Sequence, residues 1–461
     1  MSITVVLSRT LSRAYVFRRR WKGRFQRPKR QSRTAGGPNL KRYRKAPNWQ
    51  PKSFGPSAGL AHRVSSQGGL VVRKAILGLT CFIALQLAVT VAHAQSTVKI
   101  GLIMTYTGQF TDAAAQMDNG IKLYMKQNGD IVGGKKIELI RKDTAGAPDA
   151  AKRLAQELIV NDNVDILAGF VITPEALAVA ELSAQAKKFM VVMNAATSII
   201  TTKSPYIVRS SVTLPQNCEV LGTWAFQNGA KKVFTMVSDY APGLDAESSF
   251  QRAYTAAGGQ IIGSVRVPLA NPDFSAFVQR TKDSGADSIF VFVPGGAQPA
   301  ALAKALVERG MDPGKIKIMG QGELSEESAI KAMGDAAIGI ITAFHYDYTH
   351  DSAVNKAFVT AYKAEFGRNP DFFSVGGYDG MHIIYQALKK TGGKTDGDAL
   401  IDAAKGMKWE SPRGPVSIDP ETRDIINTVY IRRVEKVNGQ VRNVEIAKVD
   451  NVKDPVKARS K

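Results

Sequence analysis

From residue 97 onward, short β-rich apolar runs alternate with longer stretches of helical spacing, and this alternation restricts the fold more than any other feature of the chain. Strands are predicted over 98–104, 136–141, 165–169 and 189–193, and helices over 113–127, 148–161 and 174–188. The same period continues with strands at 231–237, 260–267, 286–293 and 315–319 and helices at 244–257, 274–284 and 299–309. Strands separated by helices at this spacing are βαβ units, which build parallel sheets. Runs such as 288–293 are apolar on both faces, as in sheets covered on both sides. About ten units exceed the usual width of one open sheet, so two similar α/β domains are expected. The C-terminal strands at 416–418, 428–433 and 441–449 surround Val437-Asn438-Gly439, a hairpin turn signal. In open α/β sheets ligands sit beyond the carboxyl ends of strands. The loops of interest are therefore 105–112, 170–175, 194–201, 238–245, 294–299 and 320–323.

Charge separates this body from what precedes it. The chain has 461 residues and a formal net charge of +22. Nineteen of the 62 basic side chains fall in residues 1–94, which have no acidic one, leaving 43 basic against 40 acidic side chains beyond. A nearly neutral body argues against nucleic acid as a partner. Residues 1–70 cannot bury a core and are expected to be a disordered or untranslated basic extension. A nucleic-acid tail and an organelle transit segment are the alternatives for it. Arg73-Lys74, an apolar run from Ala75 to Ala92 and small residues at Ala92 and Ala94 form a three-part secretory signal over 71–94, with cleavage expected between Ala94 and Gln95. The run has 18 residues diluted by polar groups, against about 20 needed to span a bilayer. The mature chain is expected to be periplasmic and not to span the membrane. Cys81 lacks the residues of a lipoprotein cleavage site. Cys218, alone in the mature chain, reads as a small buried hydrophobe.

No nucleophile elbow, phosphate loop, dinucleotide fingerprint or zinc-helix motif is present. Ser328-Ala329-Ile330-Lys331 and Lys390-Thr391-Gly392 match two short motifs of penicillin-recognising serine enzymes, but Ser-Asp-Asn is missing between them and the βαβ alternation does not suit that fold. His345, Asp347 and His350 form a weak metal pattern, with polar loop residues as the alternative. No catalytic residue, metal or cofactor is predicted. Asn194-Ala195-Ala196-Thr197-Ser198 remains: small residues expose backbone N–H groups and hydroxyls add donors, which suits a carboxylate. An ordinary capped loop reads equally well from composition.

Taken together, Ile100-Gly101-Leu102 with Thr107-Gly108, Ala168-Gly169-Phe170, Ala195-Ala196-Thr197, Asp239-Tyr240-Ala241-Pro242-Gly243, Tyr378-Asp379 and Ser411-Pro412-Arg413-Gly414-Pro415 through Asp419-Pro420-Glu421 give the resemblance. In this order and spacing they resemble the type I periplasmic binding proteins of ABC importers, the branched-chain amino-acid and aromatic-acid receptors, over nearly the whole mature chain. The resemblance implies two Rossmann-like lobes joined by three crossovers, one of about 97–214 plus 343–405, the other of about 215–342 plus 406–450. It implies a monomer without enzymatic activity that delivers ligand to permease subunits. A receptor's sensing domain of the same fold is the rival within the family, and a serine hydrolase the rival outside it.

The family grips an α-carboxylate at positions that match Thr173, Ala195, Ala196 and Thr197, and Tyr240 reaches in from the second lobe. Amino-acid members carry an acidic partner for the ammonium where Gly322 stands here, within Gly320-Gln321-Gly322-Glu323. Glu323 takes that role only if the loop shifts by one. The family's Trp in the first loop is also missing, with Phe110 nearby. An unpaired buried ammonium is costly. The expected ligand is therefore an aromatic or related organic acid, with a branched-chain amino acid as the alternative. Phe110, Tyr240, Phe292 and Phe344 are candidates to touch its ring, Gln321 and Gly322 to line the second-lobe wall.

Overall fold

The computed structural model describes residues 96–460; the basic extension, the apolar run and the expected cleavage point lie outside the described residues. The first sheet has six strands: β1 (Thr97–Met104), β2 (Ile131–Val132), β3 (Lys135–Asp143), β4 (Ile166–Gly169), β5 (Phe189–Val192) and β6 (Ile207–Arg209). Their order is β2-β3-β1-β4-β5-β6, parallel except for the β2–β3 pair. Helices α1 (Thr111–Asn128), α2 (Pro148–Val160) and α3 (Thr173–Gln185) connect them. Pro148 and Pro174 stand in the first turns of α2 and α3, where the missing N–H costs nothing. The centre of β1 is buried on both faces, as a doubly covered sheet requires.

The chain then leaves through 210–213 and enters a second α/β layer. Helix α4 (Leu214–Gln227) begins where the Gln216 side chain accepts the Thr213 N–H at 2.7 Å. Strands β7 (Lys232–Ser238), β8 (Gln260–Val267), β9 (Ser288–Phe292), β10 (Lys317–Gln321) and β11 (Ile341–Phe344) alternate with α5 (Ala241–Ala256), α6 (Phe274–Lys282), α7 (Ala297–Glu308) and α8 (Glu327–Met333). The chain returns through 345–352 to α9 (Ala353–Phe366), α10 (Phe372–Lys390) and α11 (Gly397–Ala404), which cover the first sheet. Finally β12 (Lys408–Ser411), β13 (Gly414–Ile418), β14 (Ile425–Val437), β15 (Gln440–Val452) and the short α12 (Pro455–Arg459) close the fold. The second sheet runs β12-β13-β14-β11-β10-β9-β7-β8, with β15 antiparallel on β14.

The β14–β15 turn is the one read from Asn438-Gly439. Both residues have positive φ, 51° and 80°, the geometry of a two-residue type I′ turn. The β12–β13 pair behaves differently from its sheet membership. Val416, Ile418 and Ile425 pack into the core of the first sheet, so β14 passes from one layer to the other.

The Tyr378-Asp379 and Ser411–Pro415 motifs meet at this junction. Asp379 on α10 accepts from Trp409 Nε1 at 3.0 Å and Ser411 Oγ at 2.8 Å, and pairs with buried Arg413 at 2.8 Å. Arg413 also donates to the Ser210 carbonyl in the first connection. One buried ion pair therefore ties the first connection and the β12–β13 turn to a helix of the first layer.

Candidate functional site

The carboxyl ends of β4, β5, β7, β9 and β10 open onto one cavity between the two layers. Among the residues lining it are Phe110, Thr173, Ala195, Ala196, Tyr240 and Phe292, all expected from the sequence. The lining also includes Asn194, Leu214, Pro294, Gly295, Phe373 and Glu323. The cavity volume is about 30 Å³, whereas a cavity that binds benzene measures about 150 Å³.

The first-sheet wall is held by a buried frame. Phe170 follows β4 with φ +68°, a left-handed conformation that costs a bulky residue about 1–3 kcal/mol. It is held by its N–H bonded to Ile103 O at 2.8 Å and its carbonyl accepting Ala195 N–H at 3.0 Å. The Ala195 amide is thereby engaged within the protein, and the polar feature on this wall is the Thr173–Thr197 hydroxyl pair at 2.8 Å. Arg209, fully buried, donates to Ala195 O at 2.9 Å and Thr197 O at 2.8 Å and pairs with Asp424 at 3.1 Å. It fixes the Ala195–Thr197 loop from behind. Beneath α3, the buried Glu175 carboxyl accepts from the Thr105 hydroxyl at 2.9 Å and from Thr144, anchoring the start of the helix that carries Thr173.

The second-sheet wall is built of aromatic and small apolar residues, with a carboxyl at one point. Tyr240 and Phe292 stack with ring centroids 6.3 Å apart and planes 25° from parallel. After β10 the backbone enters a tight turn over Gly322–Ser325, opened by Gln321 Oε1 accepting the Glu323 N–H at 3.0 Å. This turn decides which side chain reaches the cavity. Gly322 is pressed against Phe344, where a Cβ would stand 2.0 Å from the ring. Glu323 lines the cavity instead. Of the two positions considered for an acidic group, Gly322 is away from the cavity and Glu323 places a carboxyl in its wall. It is nine-tenths buried, and its Oε2 has no partner. Burial pushes its pKa up to about 8, partly offset by a hydrogen bond from the Gly295 backbone.

Gln321, Gly322, Phe344 and Thr197 lie beside the cavity and are not among its lining residues. Phe344 is a core residue, edge-on to Phe372 at 4.9 Å and beneath the Arg432 guanidinium at 4.9 Å. Phe373, which lines the site from the start of α10, was missed because nothing in the sequence places that helix at the cleft. The Pro294–Gly296 loop of the second layer meets the first directly. A Cβ on Gly295 would stand 2.9 Å from Phe373, and one on Gly296, 2.9 Å from Gln109 O. Past Phe373 and Gly296 a wider cleft of about 450 Å³ leads outward.

The other patterns come apart. His345 is buried with both ring nitrogens unpartnered, and burial holds its pKa well below the ordinary value. Asp347 pairs with Arg432 at 3.1 Å, and His350 with Glu445 at 3.0 Å. Among the described residues no group of His, Cys, Asp or Glu is placed to hold a metal ion. Ser328 is exposed, and Lys331 pairs with Glu327 at 2.7 Å. Cys218 is buried in the core. Among the described residues no helix is long and apolar enough to cross a membrane.

Two mostly parallel sheets linked by repeated crossings, with a cavity at their facing strand ends, define a two-layer ligand-capturing protein of type I topology. The model of the periplasmic binding protein family matches residues 97–440, and the chain belongs to that family. It is 44% identical over 384 residues to a Leu/Ile/Val-binding protein homolog 6 of Brucella melitensis, covering 82% of this chain and 98% of that protein. A solute-binding protein of an ABC transporter from Rhodopseudomonas palustris BisB5, solved with 3,4-dihydroxybenzoic acid, is 58% identical. It superposes with a TM-score of 0.76 over 78% of this chain and 99% of its own. Another from R. palustris, solved with 4-hydroxybenzoate, is 43% identical with a TM-score of 0.77, covering 79% and 100%.

Proposed function

We propose that this chain is a periplasmic solute-binding protein that captures a small aromatic carboxylate and presents it to the permease subunits of an ABC importer. The observation that carries this reading is the cavity itself: aromatic walls from Phe110, Tyr240, Phe292 and Phe373 around a hydroxyl-bearing end at Thr173. A flat ring fits stacked rings, and a carboxylate fits a donor-rich helix start. The relatives solved with hydroxylated benzoates support the same ligand class. The cavity is too small for a ring as it stands, so the layers part to admit ligand and close over it by hinge motion. The moving bodies would be the two lobes, with β12 and β13 riding on the first. Binding without turnover, secretion through the 71–94 signal and a monomeric state belong to this reading.

A second reading, a branched-chain amino acid, is favoured by one observation: Glu323 is present in the cavity and could pair with an ammonium. Thermal shift of the purified protein against benzoates, aliphatic acids and branched-chain amino acids separates the two. A ligand that binds only the folded state raises the melting point by mass action. Stabilisation by benzoates and none by leucine or valine is expected. Stabilisation by leucine alone overturns the aromatic reading.

A further inference from the structure

Glu323 is a buried carboxyl with one oxygen uncommitted, and the aromatic-carboxylate reading leaves it without a task. Resting on that reading, we propose that Glu323 selects ligands bearing a ring hydroxyl, which its Oε2 engages by hydrogen bond at the wall opposite Thr173. Thr173 opens helix α3 of the first layer and Glu323 lies in the tight turn after β10 of the second, so the two polar groups line one cavity from facing layers. The hydroxyl pair and helix start at the Thr173 end suit the ligand's carboxylate, which turns the far edge of the ring toward Glu323. What meets Glu323 must then be another polar group, carried by the ring.

Two considerations favour a neutral hydroxyl over an ammonium there. The residues that line the cavity with Glu323 (Tyr240, Phe292, Pro294, Gly295) carry no charge and leave its carboxyl desolvated. Burial holds the carboxyl in its neutral form at neutral pH. Pairing it with an ammonium would require ionising it and stripping water from both charges, whereas a hydroxyl exchanges hydrogen bonds with an acid or a carboxylate at smaller cost. A ligand with no polar group at that position leaves Oε2 buried and unsatisfied, and sites built to bond a hydroxyl reject the analogue that lacks it.

The test is calorimetric titration of the wild-type protein with size-matched pairs: meta- or para-hydroxybenzoate against the corresponding toluate, with leucine as a third arm. At least one hydroxybenzoate is expected to bind tenfold or more tightly than its toluate. Glu323→Leu should weaken the hydroxybenzoate about tenfold to a hundredfold while changing the toluate less than threefold. Glu323→Gln, which keeps a hydrogen-bonding end, should retain the preference within about threefold. A wild-type protein that binds toluate as tightly as hydroxybenzoate overturns the assignment without any variant, as does a Glu323→Leu protein that keeps the full preference. Binding of leucine and of no benzoate has a different meaning: it overturns the aromatic reading, and the hydroxyl assignment with it.

Discussion

Glu323 shows how much rests on one residue of register. A gapless reading puts Gly322 at the acidic position, and nothing in Gly320-Gln321-Gly322-Glu323 says that Gln321 will cap a tight turn and Phe344 will occupy the space beside Gly322. Phe110, Thr173 and Tyr240 lie in loops after strands and Phe292 ends one, where carboxyl ends face the cleft, and the resemblance singled out Thr173 and Tyr240 among them. Glu323 was legible only as a neighbour, and Phe344 was misplaced because an aromatic residue at a strand end serves a core as readily as a pocket. The buried carboxyl also has a thermodynamic signature. An exposed glutamate loses its proton near 4.5, whereas Glu323 keeps it to about 8 in the folded chain. In that window the folded state binds the extra proton, so stability falls as pH rises. His345, neutral when folded, acts in the opposite sense only below its ordinary value of 6.5. Asp371, pushed up by burial to about 7, adds to the decline up to about neutrality. Between pH 6.5 and 8 the ligand-free melting temperature should therefore drop, and Glu323→Gln should drop less. The difference, read by denaturant titration at each pH, is at most about 1.4 kcal/mol per pH unit. Equal slopes would show that Glu323 is already ionised.

Elements were legible in proportion to their length and periodicity. The strands through β10 were read within a few residues, except β2 and β6, which have only two and three. Helices α4, α8, α9, α10, α11 and α12 were not marked at all. For α10 the reason is physical. Gly376, Gly377 and Gly380 lower intrinsic helix propensity, yet the helix needs them where it crosses its neighbours. A Cβ on Gly377 would stand 2.2 Å from Met117 O of α1, and one on Gly120 of α1, 2.0 Å from Ser374 O. The two backbones approach so closely that each helix supplies glycine to the other. Tertiary contact here overrides local preference. Gly377→Ala should cost about 1–3 kcal/mol, as overpacking does, measured by urea unfolding. A neutral result would mean that α1 and α10 can separate without loss.

At the scale of the whole molecule, counting βαβ units was enough to anticipate two sheets and their facing loops. It could not reveal that the β12–β13 pair hydrogen-bonds along the second sheet while burying Val416 and Ile418 in the first core. Hydrogen-bond partners and core membership follow different neighbours there, and only the folded chain shows both. The contact between layers is testable at Gly296, whose φ of +103° and proximity to Gln109 O leave no room for a side chain. Gly296→Ala should hold the layers apart. Small-angle scattering with saturating ligand should then give a larger radius of gyration than the wild type, and affinity should fall about tenfold. An unchanged radius would place the closing contact elsewhere.

The small volume at the strand ends has a kinetic consequence. A chamber of about 30 Å³ has no room for a ring while the layers are shut. Ligand enters only during excursions to the parted form, and leaves the same way. The residence time of a captured molecule is then clocked by how often the connections at 210–213, 345–352 and β14 flex. Two ligands of unequal affinity could leave at similar rates and differ chiefly in how readily they trigger closure.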